Sequence, residues 1–373
     1  GFDKATLEER IEWAYGYASE AESIADDPKG YLEWKNADKP WQHLAWCFEW
    51  AEFVRNGKVK TKLPCAQDAT NNGLQLLACL TKCEETAYAT NAAPTPFPQD
   101  IYAVIASLVV DKLKKESEGG NSVARQWVEF GVDRKATKRP TMVYPYGGTF
   151  YSCRAYLDEW YQDCIRKDHA KNPFSEADRY KVTGYLSKFV WEAIHEVFDR
   201  PTKCMKYLQE VAKVLTRAGK DVSWTTPTGF PVLQHYVKQV SKSVSTQIAG
   251  EATWVNFKHS TDELSLARAK QGISPNFVHS LDASILTKTV IEANARGIWD
   301  FSCIHDSFGT HSNRSQTLAD SIRTAASGIF EVDLLEEFAH SLRRTSPELE
   351  FPELPTYGTF DPTTVKNSRY LFS

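Results

Sequence analysis

Apolar residues recur at helical spacing through most of the chain. The clearest stretches are 7–25, 43–56 and 101–114, and the segments 155–217 and 285–296 show the same period. A helix with one apolar face buries that face against other elements. The pattern therefore predicts a mostly helical protein, and 373 residues of which 42% are hydrophobic suffice for a large core.

A smaller part of the chain has the pattern of β-strands. Residues 63–68 form an extended run that ends at Asp68, after which apolar positions resume at helical spacing. Apolar residues on both sides of His305-Asp306-Ser307 predict a hairpin with these polar residues at its tip. A second hairpin is predicted near Ala249-Gly250, within the β-like segment 226–258. The predicted fold class is α+β, with a small antiparallel sheet.

Asp68 and Asp306 are the first candidate functional residues. The pattern places each acid at the end of a buried strand, where a carboxylate costs several kcal/mol unless a cation or hydrogen-bond donors meet it. Two such acids can bind a pair of Mg²⁺ ions ~3.5–4 Å apart, which clamp the attacking and leaving oxygens of a phosphoryl transfer. For Asp306 alone, the alternative is an ordinary turn residue, since Asp is common in turns.

Arg134 and Lys138 form a candidate phosphate-binding pair. They are four residues apart, so on a helix they share one face, and two cations one turn apart match the oxygens of a triphosphate. The alternative is a solvated basic helix face, which is the commonest fate of such a cluster. The aromatic and glycine residues that follow, Tyr146 and Gly147 among them, favour stacking on a base or sugar instead.

The order of these segments resembles that of a known enzyme family. An acid, then Arg-xxx-Lys-x7-Tyr-Gly, then His-Asp-Ser resembles motifs A, B and C of the phage-type single-subunit RNA polymerases. The resemblance extends to five further segments and to an aromatic-rich C-terminal end, at 44–50, 99–104, 126–127, 226–232, 273–284 and 369–373. It covers most of the chain and implies a DNA-directed RNA polymerase, which is a nucleotidyltransferase.

The resemblance also implies a domain organisation. The fold would be the palm and fingers of a right-hand polymerase. Residues 1–97 would form the first part of the palm with motif A, and residues 280–373 its second part with motif C and the C-terminal tail. Residues 98–279 would form the fingers with motif B, including a promoter-reading hairpin near 232–258.

The family assigns a role to each candidate residue on the metal and phosphate side. Asp68 and Asp306 would bind two Mg²⁺ ions, with the backbone carbonyl of Ala69 as an extra ligand. Arg134 and Lys138 would hold the incoming triphosphate, and Lys138 would protonate the pyrophosphate leaving group.

The remaining roles concern the sugar and the primer. Tyr146 would contact the ribose of the incoming nucleotide, and Gly147 would let Tyr146 close down. His279 would lie near the 2′-hydroxyl, although its flanking apolar residues also fit a core histidine. His305 would sit beside the metals at the primer end.

Two other functions compete with RNA synthesis as interpretations of the sequence. The related DNA polymerases have a Glu five residues after the first acid, which blocks a 2′-hydroxyl, and another Glu after His-Asp. This chain has Gly73 and Ser307 at those positions, so RNA synthesis is favoured. A non-catalytic nucleic-acid-binding subunit is disfavoured, because every expected charged group of the metal and triphosphate site is present.

Charge and composition limit the kinds of surface and cellular location that are expected. The net charge is −4, so any surface that contacts phosphate is local. The eight cysteines form no CxxC pair, which fits reduced thiols, and no apolar run approaches the ~20 residues of a membrane span. No membrane partner is expected, and the phage resemblance implies the cytoplasm of an infected bacterial host.

The length suggests a divided enzyme. Members of the resembled family are more than twice as long, and their thumb and first palm segment, with its Asp-xx-Gly-Arg motif, have no counterpart here. The two-subunit RNA polymerases of Enquatrovirus-type phages are the closer resemblance, while a truncated fragment is the alternative. A second subunit that supplies the thumb and N-terminal palm is therefore predicted, together with a DNA template, an RNA product and NTPs as partners.

Overall fold

The protein is described by a computed structural model that covers residues 5–168 and 172–372. Helices predominate, as the periodicity predicts, and their bounds are α1 (Leu7–Gly16), α2 (Ala18–Asp26), α3 (Pro40–Asn56), α4 (Asn72–Thr81), α5 (Glu84–Ala89), α6 (Ile101–Glu118), α7 (Ser122–Phe130), α8 (Arg134–Val143), α9 (Phe150–Lys167), α10 (Arg179–Val197), α11 (Asp199–Arg217), α12 (Leu266–Ala295), α13 (Ser315–Ile329) and α14 (Leu334–Thr345). The strands are β1 (Pro64–Asp68), β2 (Val222–Thr225), β3 (Pro231–Gln234), β4 (Val237–Ile248), β5 (Glu251–Leu264), β6 (Ser302–Ile304) and β7 (Ser307–His311). The α+β class is confirmed.

Some predicted boundaries were wrong. The single helix expected over 7–25 is divided at Tyr17, which lies between the end of α1 and the start of α2. The helix expected over 285–296 is the last part of α12, which begins at Leu266 and continues through Pro275. Helix α8 also contains a proline, Pro140, and continues through it.

Three antiparallel sheets are present in the described residues, and the sheet that carries both candidate acids has the order β1-β7-β6. The predicted hairpin tip is confirmed, because His305 and Asp306 connect β6 to β7 and His305 adopts a positive φ of 53°. The strands were expected to be buried, but only β7 is, while β1 and β6 are largely exposed. One face of this small sheet is therefore open.

The core places α4 at the centre of the molecule. Every residue of α4 is buried, and the helix packs against α11 and α12. The C-terminal tail seals the turn before α4, since the hydroxyl of Thr70 donates to the carbonyl of Tyr370 at 2.8 Å and Phe372 pairs with Ala69. Phe372 also contacts Phe308 beneath the sheet, with ring centroids 5.5 Å apart.

The first three helices form a separate small cluster. Its buried residues are Ala21, Ile24, Trp34 and Cys47, apart from the main core. Aromatic rings stack along α1 and α3, with Trp46 and Trp50 at 5.8 Å. Among the described residues, no helix is long and apolar enough to cross a membrane.

The second predicted hairpin is confirmed as a long two-stranded ribbon. β4 and β5 pair along most of their length, and Ile248 faces Glu251 across a turn formed by Ala249 and Gly250. Both turn residues have positive φ, 53° and 87°, as a tight hairpin turn of the primed type requires. The ribbon extends to Leu264, beyond the 232–258 expected from the sequence.

Candidate active site

Strand pairing brings Asp68 and Asp306 together. Asp68 is the last residue of β1 and stands opposite Ser307, the first residue of β7, so it lies beside Asp306 at the hairpin tip. The backbone N–H of Ala69 donates to the carbonyl of Asp306 at 3.2 Å, which fixes the two turns against each other. The two acids, 238 residues apart in the sequence, therefore belong to one site.

The electrostatics of the two acids suit a cation. Burial raises the pKa of Asp306, and the negative charge of Asp282 raises it further. The pKa of Asp68 is also raised, first by burial and then by Asp306, while Lys39 opposes these effects. Carboxylates that disfavour each other's charge are stabilised by a shared divalent cation, and oxygen donors are the ligands that Mg²⁺ prefers.

Protein side chains alone would not complete a metal shell here. Within 5–168 and 172–372, no group of three His, Cys, Asp or Glu side chains stands at metal-binding spacing. Mg²⁺ commonly takes one or two protein carboxylates and completes its shell with water and substrate phosphates. Two aspartates beside an open sheet face fit that pattern.

Tyr146 and His279 form the second part of the site. Their rings stack with centroids 4.7 Å apart and planes 12° apart. His279 is exposed on α12, so its interpretation as a core histidine is wrong. Burial lowers the pKa of His279, and the nearby His305 lowers it further. A neutral imidazole is therefore favoured there, beside a phenol whose pKa burial raises.

Gly73 supports the tip of the Tyr146 ring. A Cβ built on Gly73 would lie 2.8 Å from Cζ and 2.9 Å from the hydroxyl oxygen of Tyr146, and 2.7 Å from Cγ of Pro145. Real side chains do not approach so closely, so Tyr146 occupies the space that any other residue at position 73 would need. Gly147, which follows Tyr146, has a φ of 86° and ends the short 3₁₀ turn that carries this ring.

We expect Gly73→Ala to push Tyr146 out of its place. Overpacking of this kind costs about 1–3 kcal/mol, and we expect a matching fall in melting temperature. Gly16→Ala is the control, because nothing lies within 4 Å of a Cβ at that helical glycine. Equal melting temperatures for the two variants would show that the Tyr146 ring moves without cost.

Helix α8 presents the two candidate phosphate ligands differently. Asp133 caps the helix by accepting from the N–H groups of Lys135 and Ala136. Arg134 forms an ion pair with Asp100 at 2.5 Å and lies over the ring of Tyr102. Lys138 is exposed and has no ion pair within the described part of the chain. The structure thus orients Arg134 in advance and leaves Lys138 available for an anion.

A third acid was missed by the sequence analysis. Asp282 is only 5% exposed, and its carboxylate accepts from Nδ2 of Asn72 at 2.9 Å. It lies one turn after His279 on α12, and its negative charge raises the pKa of both Asp306 and Tyr146. The sequence offered one signal for this residue, because Asp282 lies three residues after the candidate site residue His279.

Comparison with known proteins shows the family of the chain. The family model described as DNA-dependent RNA polymerase matches residues 1–348. The chain belongs to this family. Its full length aligns with DNA-directed RNA polymerase 2B, chloroplastic/mitochondrial, of Nicotiana tabacum, at 31% identity over 36% of that protein. It also aligns over its full length with the DNA-directed RNA polymerase of Enterobacteria phage T3, at 30% identity over 47% of that protein. The identity to T7 RNA polymerase of Escherichia phage T7 is 28%, again over 47% of that protein.

The family membership confirms the resemblance seen in the sequence. The chain nevertheless spans less than half the length of these curated relatives. The roles of the individual site residues, the domain boundaries, the metals and the partners stay predictions.

Proposed function

We propose that this chain carries the catalytic centre of a DNA-directed RNA polymerase. The observation that supports this most strongly is the pairing of β1 with β7, which sets Asp68 beside Asp306. An acid pair next to an open sheet face, with a nearby stacked Tyr146–His279 pair, suits the joining of a nucleotide to a primer end.

In the proposed mechanism, Asp68, Asp306 and the backbone carbonyl of Ala69 would hold two Mg²⁺ ions. When bound, such ions stabilise the attacking and leaving oxygens of phosphoryl transfer. Arg134, already oriented by Asp100, binds the triphosphate of the incoming nucleotide. Lys138, which is exposed, binds the same triphosphate and gives a proton to the pyrophosphate as it leaves.

The other site residues would select and place the nucleotide and the primer. Tyr146 contacts the ribose, Gly147 permits its approach, and His279 lies near the 2′-hydroxyl. His305 stands at the hairpin tip, where its positive φ directs the turn, and would meet the primer end.

Contact between Gly73 and Tyr146 favours RNA synthesis over DNA synthesis. A glutamate at position 73 would collide with Tyr146, because even a Cβ there is too close. The glutamate that blocks a 2′-hydroxyl in the related DNA polymerases would therefore not fit beside Tyr146 in this chain.

Primer extension tests the proposed function. The full protein, together with any bound partner, is given an RNA primer on a DNA template, Mg²⁺, and either NTPs or dNTPs. We expect template-dictated addition of ribonucleotides, strongly preferred over deoxyribonucleotides. Efficient extension with dNTPs only, or no extension by the assembled protein, would contradict the proposal.

We expect Tyr146→Phe to reduce ribose selectivity more than it reduces the rate. The change removes the phenol hydroxyl but leaves the ring that stacks on His279. A lost hydrogen bond of this kind is worth ~0.5–1.5 kcal/mol, which corresponds to a fall of about 2- to 13-fold in the NTP/dNTP selectivity ratio. An unchanged ratio with a collapsed rate would mean that Tyr146 has only a structural role.

The β4–β5 ribbon is proposed to read promoter DNA. It carries two different faces, since Val240, Val244 and Ile248 are exposed on one and serines such as Ser243 alternate with them on the other. Hydroxyl and amide groups on a two-stranded ribbon suit the edges of bases in a major groove.

The partners are proposed on similar grounds. A second subunit would supply the thumb and N-terminal palm, which complete the right-hand fold of the resembled family. DNA template, RNA product and NTPs follow from the proposed activity, and no membrane partner is proposed. The cytoplasm of an infected bacterial host is proposed on the two phage relatives.

A further inference from the structure

A buried hydrogen bond joins two helices beneath the candidate site. Asn72, the first residue of α4, donates from Nδ2 to Oδ1 of Asp282 in the middle of α12, at 2.9 Å. Both side chains are at most 6% exposed. The bond links positions 210 residues apart in the sequence, so it fixes how the two helices stand relative to each other.

The neighbours of this pair are the two supports of Tyr146. Gly73, next to Asn72, lies against the tip of the Tyr146 ring. His279, one turn before Asp282, stacks on the face of the same ring. A change in the separation of α4 and α12 at this point would therefore alter the gap that holds Tyr146.

The hydrogen bond from Asn72 does not depend on the charge of Asp282. Asp282 has no cation partner in ion-pair range among the residues described, and a buried carboxylate is costly unless its hydrogen bonds are made. An asparagine could accept the same bond from Asn72 without that cost. Asp282→Asn therefore removes the charge but keeps the acceptor of the hydrogen bond, so this variant separates the two effects.

We propose that Asn72 and Asp282 are a positioning pair for ribose selection. Their hydrogen bond sets the distance between Gly73 and His279, and through it the place of Tyr146. This inference rests on the proposed function, because it assigns the pair to the nucleotide site of an RNA polymerase. Neither residue contacts the substrate, and both act through Tyr146.

The test compares variants that break the bond with one that keeps it. Asn72→Ala and Asp282→Ala remove it, while Asp282→Asn keeps an acceptor for Nδ2 of Asn72. We expect the NTP/dNTP selectivity ratio to fall about tenfold in both alanine variants, the size of effect expected when a buried hydrogen-bonded partner is removed. In Asp282→Asn we expect the ratio to stay within about twofold of wild type.

A control separates the bond between the two helices from the loss of a buried polar group on α12. Ser284→Ala removes a buried hydroxyl on α12 that donates only to the carbonyl of Ser280 in the same helix. Its selectivity ratio should stay that of wild type, because the lost bond lies within α12 and does not join α12 to α4. Wild-type protein that makes no RNA would overturn the proposed function itself.

Two results would overturn the positioning role while the proposed function stands. In the first, RNA synthesis is normal in wild type and both alanine variants retain its selectivity ratio. In the second, Asp282→Asn loses as much selectivity as Asp282→Ala, which would mean that the charge acts and the hydrogen bond does not.

Discussion

Asp68→Asn and Asp306→Asn are each expected to abolish nucleotide addition while the fold stays intact. Each substitution replaces a carboxylate with an amide of the same shape, so the strand pairing between β1 and β7 is kept. Losing one ligand disables the proposed metal pair and removes several kcal/mol of transition-state stabilisation. Single-nucleotide extension by the assembled protein measures the rate, and circular dichroism checks the fold.

Asp300→Asn is the matched control for these variants. Asp300 lies six residues before Asp306, but its side chain is 77% exposed and faces His311 at 3.6 Å, away from the acid pair. This variant is expected to extend primers at the wild-type rate. Elongation by Asp68→Asn or Asp306→Asn at more than a few per cent of the wild-type rate would contradict the metal assignment.

The second large effect concerns the chain by itself. We expect the purified 373-residue chain to be inactive, and a second polypeptide with the thumb and the Asp-xx-Gly-Arg segment to restore RNA synthesis. The candidate site would supply the chemistry, and the proposed second subunit would grip the template–product hybrid. The contact should resemble an obligate interface of ~2,000 Å² or more, since a divided palm exposes part of a core.

The structure offers surfaces that such a partner could cover. The helices α1 to α3 have their own small core, and aromatic side chains on and near them face solvent, among them Tyr15 and Trp41 at 61% and 75% exposure. The native mass of the purified complex reports the second chain directly. Robust, processive RNA synthesis from a primed single-stranded template by the isolated chain would contradict the divided enzyme.

The sequence predicted the local features of the site well. The strand-to-turn pattern at Asp68 and the polar hairpin tip at Asp306 were visible because period-2 and period-3.6 spacings differ. The tight turn at Ala249-Gly250 was predicted for the same reason. These features depend on residues close together in the chain.

Contacts between distant residues could not be predicted. The ion pair of Arg134 with Asp100 and the bond from Asn72 to Asp282 join elements that no spacing relates. The exposure of β1 and β6 was also missed, since an apolar run predicts burial without saying which side is covered. The sequence shows at Gly73 only the absence of a side chain that would block a 2′-hydroxyl, whereas the structure shows that the Tyr146 ring packs against this glycine.

Iron-directed cleavage tests directly whether Asp68 and Asp306 form one metal-dependent centre. Fe²⁺ replaces Mg²⁺ in the assembled protein with primer, template and a non-reactive NTP analogue, and hydroxyl radicals then cut the backbone nearest the metal. We expect cuts beside both residue 68 and residue 306, suppressed by excess Mg²⁺ and lost in Asp68→Asn and Asp306→Asn. Cuts elsewhere, or cuts unchanged in both variants, would contradict it.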